Sequence, residues 1–174
     1  FIKQFSLSRL SEANNDETKQ SVINGLKNGP IAENTIDANE QHYEVPADYF
    51  KAVLGPRLKY SCCWFDDEST TLGDAEINMM ESYVERAKLE DGQTILDLGC
   101  GWGSLSLFLA ERFPNSVIYS VSNSNDQIEH IRNIAKEKGL ENLNPEVQDV
   151  NSLNLSRQFD RVVSIEMFEH MRNY

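Results

Sequence analysis

Short apolar runs and longer amphipathic segments alternate along the second half of the chain. Apolar residues at helical spacing, such as Ile77, Met80, Val84 and Ala87, predict helices, and continuous apolar runs predict strands that are buried on both faces. In chain order the pattern predicts helix 72–89, strand 94–100, helix 104–113, strand 116–122, helix 124–139, strand 145–150 and strand 161–166. Strands that alternate with helices of this length form βαβ units, so we expect a parallel, doubly wound α/β sheet.

The first 70 residues lack this regularity. Residues 1–40 are polar with weak periodicity, and the aromatic-rich stretch that follows is interrupted by Pro46 and by the Gly55-Pro56 turn. We therefore expect two parts, an N-terminal helical and aromatic cap over residues 1–70 and a sheet domain over residues 71–174. The simplest interpretation of the cap is that its aromatic side chains pack against a neighbour.

Three glycines at alternate positions, Gly99, Gly101 and Gly103, follow the first predicted strand. In doubly wound sheets ligands bind beyond the carboxyl ends of the strands, and glycine lets a ligand approach the backbone closely. A pyrophosphate site has the spacing G-x-G-x-x-G, whereas Asp97 here begins a D-x-G-x-G-x-G pattern. This pattern resembles the first motif of S-adenosylmethionine-dependent methyltransferases, although a tight strand-to-helix turn would also use glycine.

The second strand is informative because no acidic residue stands at its end. Dinucleotide enzymes, and most methyltransferases of this class, place an acid there to hold the ribose hydroxyls. The polar residues in this sequence are Asn123 and Gln127. Gln127 has a competing role, because Ser124-x-x-Gln127 is a capping box for the helix that starts there. Ribose binding and helix capping both stay open for Gln127.

Five blocks together resemble one family, that of the cyclopropane-fatty-acid synthases and coclaurine N-methyltransferases. In chain order the blocks are LKYSCCWF, STTLGDAE, ILDLGCGWGSLSLFLAERF, SNDQ and DRVVSIEMFEHMRNY, and the likeness runs from Gln41 to Tyr174. The resemblance implies a Rossmann-like class I methyltransferase sheet and S-adenosylmethionine as the cofactor.

The resemblance also implies roles for individual residues around that cofactor. Tyr60 and Ser61 would close over it, and Gly99 and Gly101 would contact its methionine part. The remaining cofactor residues are Asn123 and Gln127 on the ribose, Asp149 and Val150 beside the adenine, and Asp97 and Ile165 in the first and fourth strands.

The segment after the fourth strand carries the candidate catalytic residues Glu166, Glu169 and His170, whose spacing lets them converge on one face of a helix. Methyl transfer from a sulfonium is a displacement, so an amine acceptor must first lose a proton to a base such as a carboxylate or an imidazole. Two carboxylates also attract an ammonium group. A solvated acidic helix start is the plainer interpretation, and we expect no metal because no fourth ligand is evident.

Two classes of acceptor fit the family resemblance. Members that act on lipids use a bound bicarbonate as the base, held partly by the residues that correspond to Cys62 and Glu169. They usually carry a small residue where Glu166 stands, so Glu166 favours N-methylation of a small basic amine. Cys62 favours the alternative, transfer of a methylene or methyl group to an unsaturated lipid acyl chain. We expect the amine reaction.

Composition limits the partners of this 174-residue chain. With 28 acidic and 16 basic residues, the formal charge of -12 disfavours nucleic acid and mildly favours a cationic ligand. No apolar stretch reaches the length of a membrane span, so we expect no integral membrane segment. The three cysteines include the adjacent pair Cys62 and Cys63, which predicts free thiols and a cytoplasmic location.

The complete fold of the family has seven strands, and this chain supplies four. We therefore expect a sheet truncated after the fourth strand, which leaves that strand as an exposed edge. The remaining half would come from the same polypeptide or from another one, and the 174-residue chain alone would be catalytically silent. A cofactor-binding half-domain without activity is the third interpretation. The identity of the acceptor and the oligomeric state are not predicted.

Overall fold

The structure, a computed structural model, describes residues 2–13, 15–33 and 47–173. These residues fall into two compact units. The first unit contains the described residues up to 33 together with residues 169–173, and the second contains residues 47–168. The domain boundary that we predict near residue 70 stays a prediction, and residues 47–70 belong to the same unit as the sheet.

The first unit contains two helices, α1 (Ile2–Ala13) and α2 (Asp16–Asn28). The side chain of Asn15 caps α2 by accepting hydrogen bonds from two backbone N–H groups of its first turn. After α2 the backbone pairs with the end of the chain, where the N–H of Arg172 donates to the carbonyl of Ile31 at 2.7 Å. Across the described ranges of both units, no helix combines the length and the apolar character that a membrane crossing requires.

The second unit alternates helices and strands as the hydrophobic pattern predicts. In chain order its elements are α3 (Ala47–Val53), α4 (Leu72–Ala87), β1 (Thr94–Leu98), α5 (Ser104–Arg112), β2 (Val117–Ser122), α6 (Asn125–Lys138), β3 (Leu143–Val147) and β4 (Arg161–Val163). A 3-10 turn at Val150–Ser152 lies between β3 and β4, and another at Phe168–His170 spans the boundary between the two units.

The four strands form one parallel sheet in the order β3-β2-β1-β4, which confirms the predicted fold class. Asp97 of β1 lies in register with Ser120 of β2 and with Val163 of β4. Because all the strands run the same way, the loops that follow them share one edge of the sheet. Among the described strands β4 is an outer strand, and Val162 on it is 57% exposed.

Both faces of the sheet are covered by apolar side chains, as the continuous apolar run of β1 predicts. On one face Ile95 and Ile118 are fully buried in a cluster with residues of α4, α5 and α6. On the other face a smaller cluster forms around Leu96, Leu98 and Val121. The glycine loop after β1 is therefore held by a strand that is packed from both sides.

Among the strands, β3 and β4 differ most from their predicted bounds, and β3 ends at Val147 rather than at residue 150. β3 begins at Leu143 rather than at Pro145, because Leu143 pairs with Ile118 of the neighbouring strand. Pro145 is accommodated because β3 is an outer strand of the described sheet, where a missing N–H is tolerated. β4 ends at Val163, and three residues later Glu166 has a left-handed backbone with φ of 52°. The residue that we predict as catalytic thus stands in a turn.

Candidate active site at the carboxyl edge of the sheet

The glycine loop between β1 and α5 is built by three residues with positive φ: Gly99 at 82°, Gly101 at 54° and Gly103 at 84°. At Gly103 a Cβ atom would lie 2.5 Å from the Cγ1 atom of Ile131, so close packing against α6 also requires glycine. At Gly101 nothing lies within 4 Å of the Cβ position. This glycine therefore leaves open space in front of the backbone, as a ligand that approaches the loop would need.

Asp97 lies inside the sheet next to this loop. Its side chain is 2% exposed, and its Oδ2 atom accepts a hydrogen bond from the Ser106 hydroxyl of α5 at 2.6 Å. Burial raises the pKa of Asp97 to about 6, although the hydrogen bonds from Ser106 oppose the shift. In the described structure Asp97 thus ties the first turn of α5 to β1. Its predicted cofactor contact stays a prediction.

At the end of β2 the capping interpretation of Gln127 is half confirmed. The Ser124 hydroxyl accepts the backbone N–H of Gln127, as a capping box requires, at 3.4 Å. The Gln127 side chain does not return to the N–H of Ser124, as it would in a complete capping box; its Oε1 atom accepts from the Ser122 hydroxyl at 2.7 Å. The N–H of Ser124 donates to that same hydroxyl. Gln127 is only 3% exposed, so a ribose could contact only a small part of this residue.

The loops after β2 and β3 lie side by side. The N–H of Gln148 donates to the carbonyl of Ser122 at 2.9 Å, which places the predicted adenine residues next to the predicted ribose residues. The Asp149 side chain accepts from the N–H of Asn151 and begins the 3-10 turn at Val150. Asn123, the residue directly after β2, is half-buried. The structure therefore brings Asn123, Asp149 and Val150 to one edge.

The segment from Arg57 to Cys63 is anchored by a buried carboxylate of α4. Glu76 is fully buried and accepts the backbone N–H groups of Arg57 and Lys59 at 3.0 and 3.1 Å. A Cβ atom at Gly55 would lie 2.6 Å from this carboxylate, so the turn before the segment requires glycine. Beyond this anchor Tyr60 is 56% exposed. Its ring packs edge-to-face with that of Phe50, and the two ring centres are 5.7 Å apart.

Glu166 joins this segment to the glycine loop. Its Oε1 atom accepts the backbone N–H of Cys62 at 3.0 Å. The next residue, Met167, lies against the glycine loop, with its Cβ atom 3.1 Å from the Cβ position of Gly99. Ile165 packs against the main core and supports the turn. The structure thus brings together the predicted residues Cys62, Glu166 and Gly99.

Glu169 and His170 lie in the 3-10 turn after Met167, and both are exposed. They belong to the first compact unit, whereas Glu166 belongs to the second. The convergence of all three side chains on one acceptor therefore stays a prediction.

Lys59, Glu76 and Tyr83 are not among the site residues that the sequence predicts. Glu76 interrupts the apolar face of α4 between Ala75 and Met79, and a carboxylate inside a buried stripe is a signal that could have been used. Lys59 and Tyr83 carry no such signal, because their contact joins residues that are 24 positions apart.

Comparison with known proteins places these residues in a family. The profile described as mycolic acid cyclopropane synthetase matches residues 32–174. The chain belongs to this family. The match includes every candidate site residue named above.

Members of the family with different activities are similar to this chain. (S)-Coclaurine N-methyltransferase of Thalictrum flavum subsp. glaucum is 40% identical over 154 residues, which are 88% of this chain and 43% of the relative. Cyclopropane-fatty-acyl-phospholipid synthase of Escherichia coli (strain K12) is 34% identical over 137 residues, which are 78% of this chain and 34% of the relative. The chain spans less than half the length of either relative.

A solved structure confirms the fold. The crystal structure of coclaurine N-methyltransferase bound to N-methylheliamine and SAH superimposes with a TM-score of 0.85 at 36% sequence identity. The superposition covers 99% of this chain and 53% of that chain. The second unit therefore has the class I methyltransferase sheet that the five sequence blocks imply.

Proposed function

We propose that the protein is an S-adenosylmethionine-dependent methyltransferase that N-methylates a small basic amine. The observation that carries the proposal is the Glu166 carboxylate, which accepts the N–H of Cys62 next to Met167, the residue that lies against the glycine loop. A carboxylate at this edge attracts an ammonium group, whereas an alkene offers it no charge. The higher identity to an N-methyltransferase than to a lipid synthase, 40% against 34%, supports the same acceptor class.

The loop residues fit the proposed cofactor. The left-handed backbone of Gly101 and the open space at its Cβ position leave room that any other residue would fill. The relative of known structure binds SAH, S-adenosylhomocysteine, which supports the same ligand class here. When bound, S-adenosylmethionine supplies an electrophilic methyl group. The residues that we propose around it are Tyr60, Ser61, Asp97, Gly99, Gly101, Asn123, Gln127, Asp149, Val150 and Ile165.

The proposed chemistry assigns separate tasks to the acidic side chains. Glu166 binds the ammonium form of the acceptor and orients its nitrogen toward the glycine loop. Glu169 or His170 accepts the proton that the nitrogen loses, so that its lone pair becomes free to attack. Tyr60 and Ser61, on the segment that Glu76 anchors, limit the access of water to the reacting atoms.

Cys62 supports a second candidate reaction, methylene or methyl transfer to an unsaturated acyl chain with bicarbonate as the base. Cys62 is exposed beside Glu166, and the Escherichia coli relative is a cyclopropane-fatty-acyl-phospholipid synthase. In this reaction Cys62 and Glu169 would hold the bicarbonate, which would remove a proton from the transferred methyl group.

One experiment separates the two reactions. Methyl transfer is measured with this chain alone and with a chimera in which the remaining length comes from the Thalictrum flavum enzyme. The acceptors are heliamine and vesicles of unsaturated phospholipid, each with and without bicarbonate. We expect the chimera to methylate heliamine at a rate that rises with pH and ignores bicarbonate, and the chain alone to be silent.

Variants of the chimera test the proposed roles. Glu169→Ala and His170→Ala should each lower kcat by about 10²-fold, the usual scale for lost acid–base assistance, while Glu129→Ala on the exposed side of α6 should not. Lipid methylation that requires bicarbonate and is lost in Cys62→Ser would replace the amine assignment by the lipid one. A chimera that binds cofactor but methylates neither acceptor would favour the non-catalytic interpretation.

We also propose that the thiols of Cys62, Cys63 and Cys100, which are free in the structure, reflect a reducing, cytoplasmic location. The remaining part of the sheet would come from the same chain or from a partner chain. Sizing the protein isolated from its source by intact mass distinguishes these two arrangements.

A further inference from the structure

Lys59 is a buried lysine that the proposed reaction does not use. It is 4% exposed, although lysine side chains usually extend their charged end into water. Its ammonium group donates hydrogen bonds to the Ser61 hydroxyl and, at 3.1 Å, to the Tyr83 hydroxyl of α4. The ammonium nitrogen also lies 5.0 Å from the centre of the Tyr83 ring. Two hydroxyl partners inside the protein therefore fix the end of a flexible side chain.

The surroundings of this ammonium group are acidic. The titratable groups that face it, besides Tyr83, are the thiols of Cys62 and Cys63 and the carboxylates of Glu76 and Glu166. Burial lowers the pKa of Lys59, and these four groups oppose the shift. Burial and the neighbouring thiol raise the pKa of Tyr83 to about 12, so Tyr83 stays a neutral phenol.

A cation in this position affects both parts of the site. Ser61 is the expected cofactor contact, and its hydroxyl is held by the ammonium group. Glu166 is the expected acceptor contact, and its carboxylate interacts electrostatically with the same ammonium group.

We propose that Lys59 is a positioning residue of the methyl-transfer site, which holds the Ser61 hydroxyl toward the cofactor and supplies the positive charge beside Glu166. This inference rests on the proposed function. Tyr83 of α4 supports this role, because its hydroxyl accepts a hydrogen bond from the Lys59 ammonium group and keeps that group away from water.

The test uses Lys59→Met, which keeps the length of the side chain and removes its charge, and Tyr83→Phe, which removes only the hydroxyl partner. Lys136→Met, at an exposed position of α6, is the matched control. Titration calorimetry with S-adenosylhomocysteine should show roughly five- to tenfold weaker binding for Lys59→Met, a smaller loss for Tyr83→Phe and none for the control.

A second measurement reports the charge itself and does not need the cofactor. Burial raises the pKa of the Cys63 thiol, Lys59 opposes this shift, and Glu76, Cys62 and Glu166 add to it. The pH midpoint of Cys63 alkylation, mapped by mass spectrometry, should therefore rise by roughly half a unit or more in Lys59→Met. It should stay unchanged in Tyr83→Phe, which retains the ammonium group. A lysine that only filled space would leave this midpoint in place in both variants.

The outcomes separate the inference from the proposed function. If the wild-type chain does not bind S-adenosylhomocysteine, the proposed function fails and the inference fails with it. If the wild type binds but Lys59→Met retains its affinity and its Cys63 midpoint, the inference alone is overturned. If Lys59→Met does not fold, Tyr83→Phe decides, and unchanged affinity in that variant overturns the inference.

Discussion

The buried carboxyl group of Asp97 should make the stability of the sheet unit depend on pH. Its pKa is raised from 3.8 in the unfolded chain to about 6 in the folded protein, because burial disfavours the charge. A carboxyl group whose pKa is raised by folding stabilises the folded state as long as it stays protonated there. This contribution is fully present below pH 3.8 and is lost as the pH rises through about 6.

The magnitude follows from the difference between the two pKa values. Between about pH 5 and pH 6 the unfolded chain has already released the proton that the folded chain still holds. Each pH unit in this window therefore lowers the free energy of unfolding by up to about 1.4 kcal/mol. The loss ends above about pH 7, where both states are ionised. The total from pH 5 upward is about 1 to 1.5 kcal/mol.

Urea unfolding followed by tryptophan fluorescence measures this contribution, because Trp102 is buried in the same unit. The comparison is between wild type and Asp97→Asn from about pH 5 to pH 7.5. The wild type should lose about 1 to 1.5 kcal/mol relative to the variant over this range. Asp126→Asn, an exposed aspartate of α6, controls for a general charge effect. A constant difference between wild type and Asp97→Asn at every pH would refute the reasoning.

Three further predictions concern the loops at the carboxyl edge. Gln127→Ala should weaken binding of S-adenosylhomocysteine by roughly fivefold if the side chain holds the ribose. A lower Tm with unchanged affinity would show that the side chain has only a structural role, through its hydrogen bond with Ser122. Gly103→Ala should lower the free energy of unfolding by about 3 kcal/mol, because its backbone has a positive φ and the new methyl group would overlap with Ile131. Gly139→Ala is the control in the same urea titration: its φ is also positive but the space around it is open, so it should cost about 1 kcal/mol. Glu76→Ala should cost about 2 to 4 kcal/mol because a buried N–H group and a partly buried one lose their acceptor, and thermal unfolding that matches wild type would contradict this.

The sheet could be predicted from the sequence because its strands are short, parallel and buried on both faces. Periodicity is clearest in such strands and in the helices between them, which is why β1, α5, β2 and α6 begin and end close to the predicted positions. The start of β3 was wrong because Pro145 resembles the beginning of a strand. Pairing with β2 extends the strand before it, and that pairing is a non-local effect.

In the candidate site, too, the local features could be predicted from the sequence and the long-range contacts could not. The glycine spacing and the Ser124 cap follow from local backbone requirements and were visible in the sequence. The contacts of Cys62 with Glu166 and of Lys59 with Tyr83 join positions that are 104 and 24 residues apart. No local pattern encodes such contacts, so they became visible only in the folded structure, where Lys59 meets α4 and Cys62 meets the residues that follow β4.

Titration calorimetry of this chain with S-adenosylhomocysteine tests the central claim most directly. We predict binding in the micromolar range to wild type, and no binding to Gly101→Val, whose side chain would fill the open space at the loop and strain a backbone with φ of 54°. Circular dichroism of the variant controls for folding, and NAD is the control ligand. Binding of NAD in place of S-adenosylhomocysteine, or equal binding of S-adenosylhomocysteine to wild type and a folded Gly101→Val, would contradict the account.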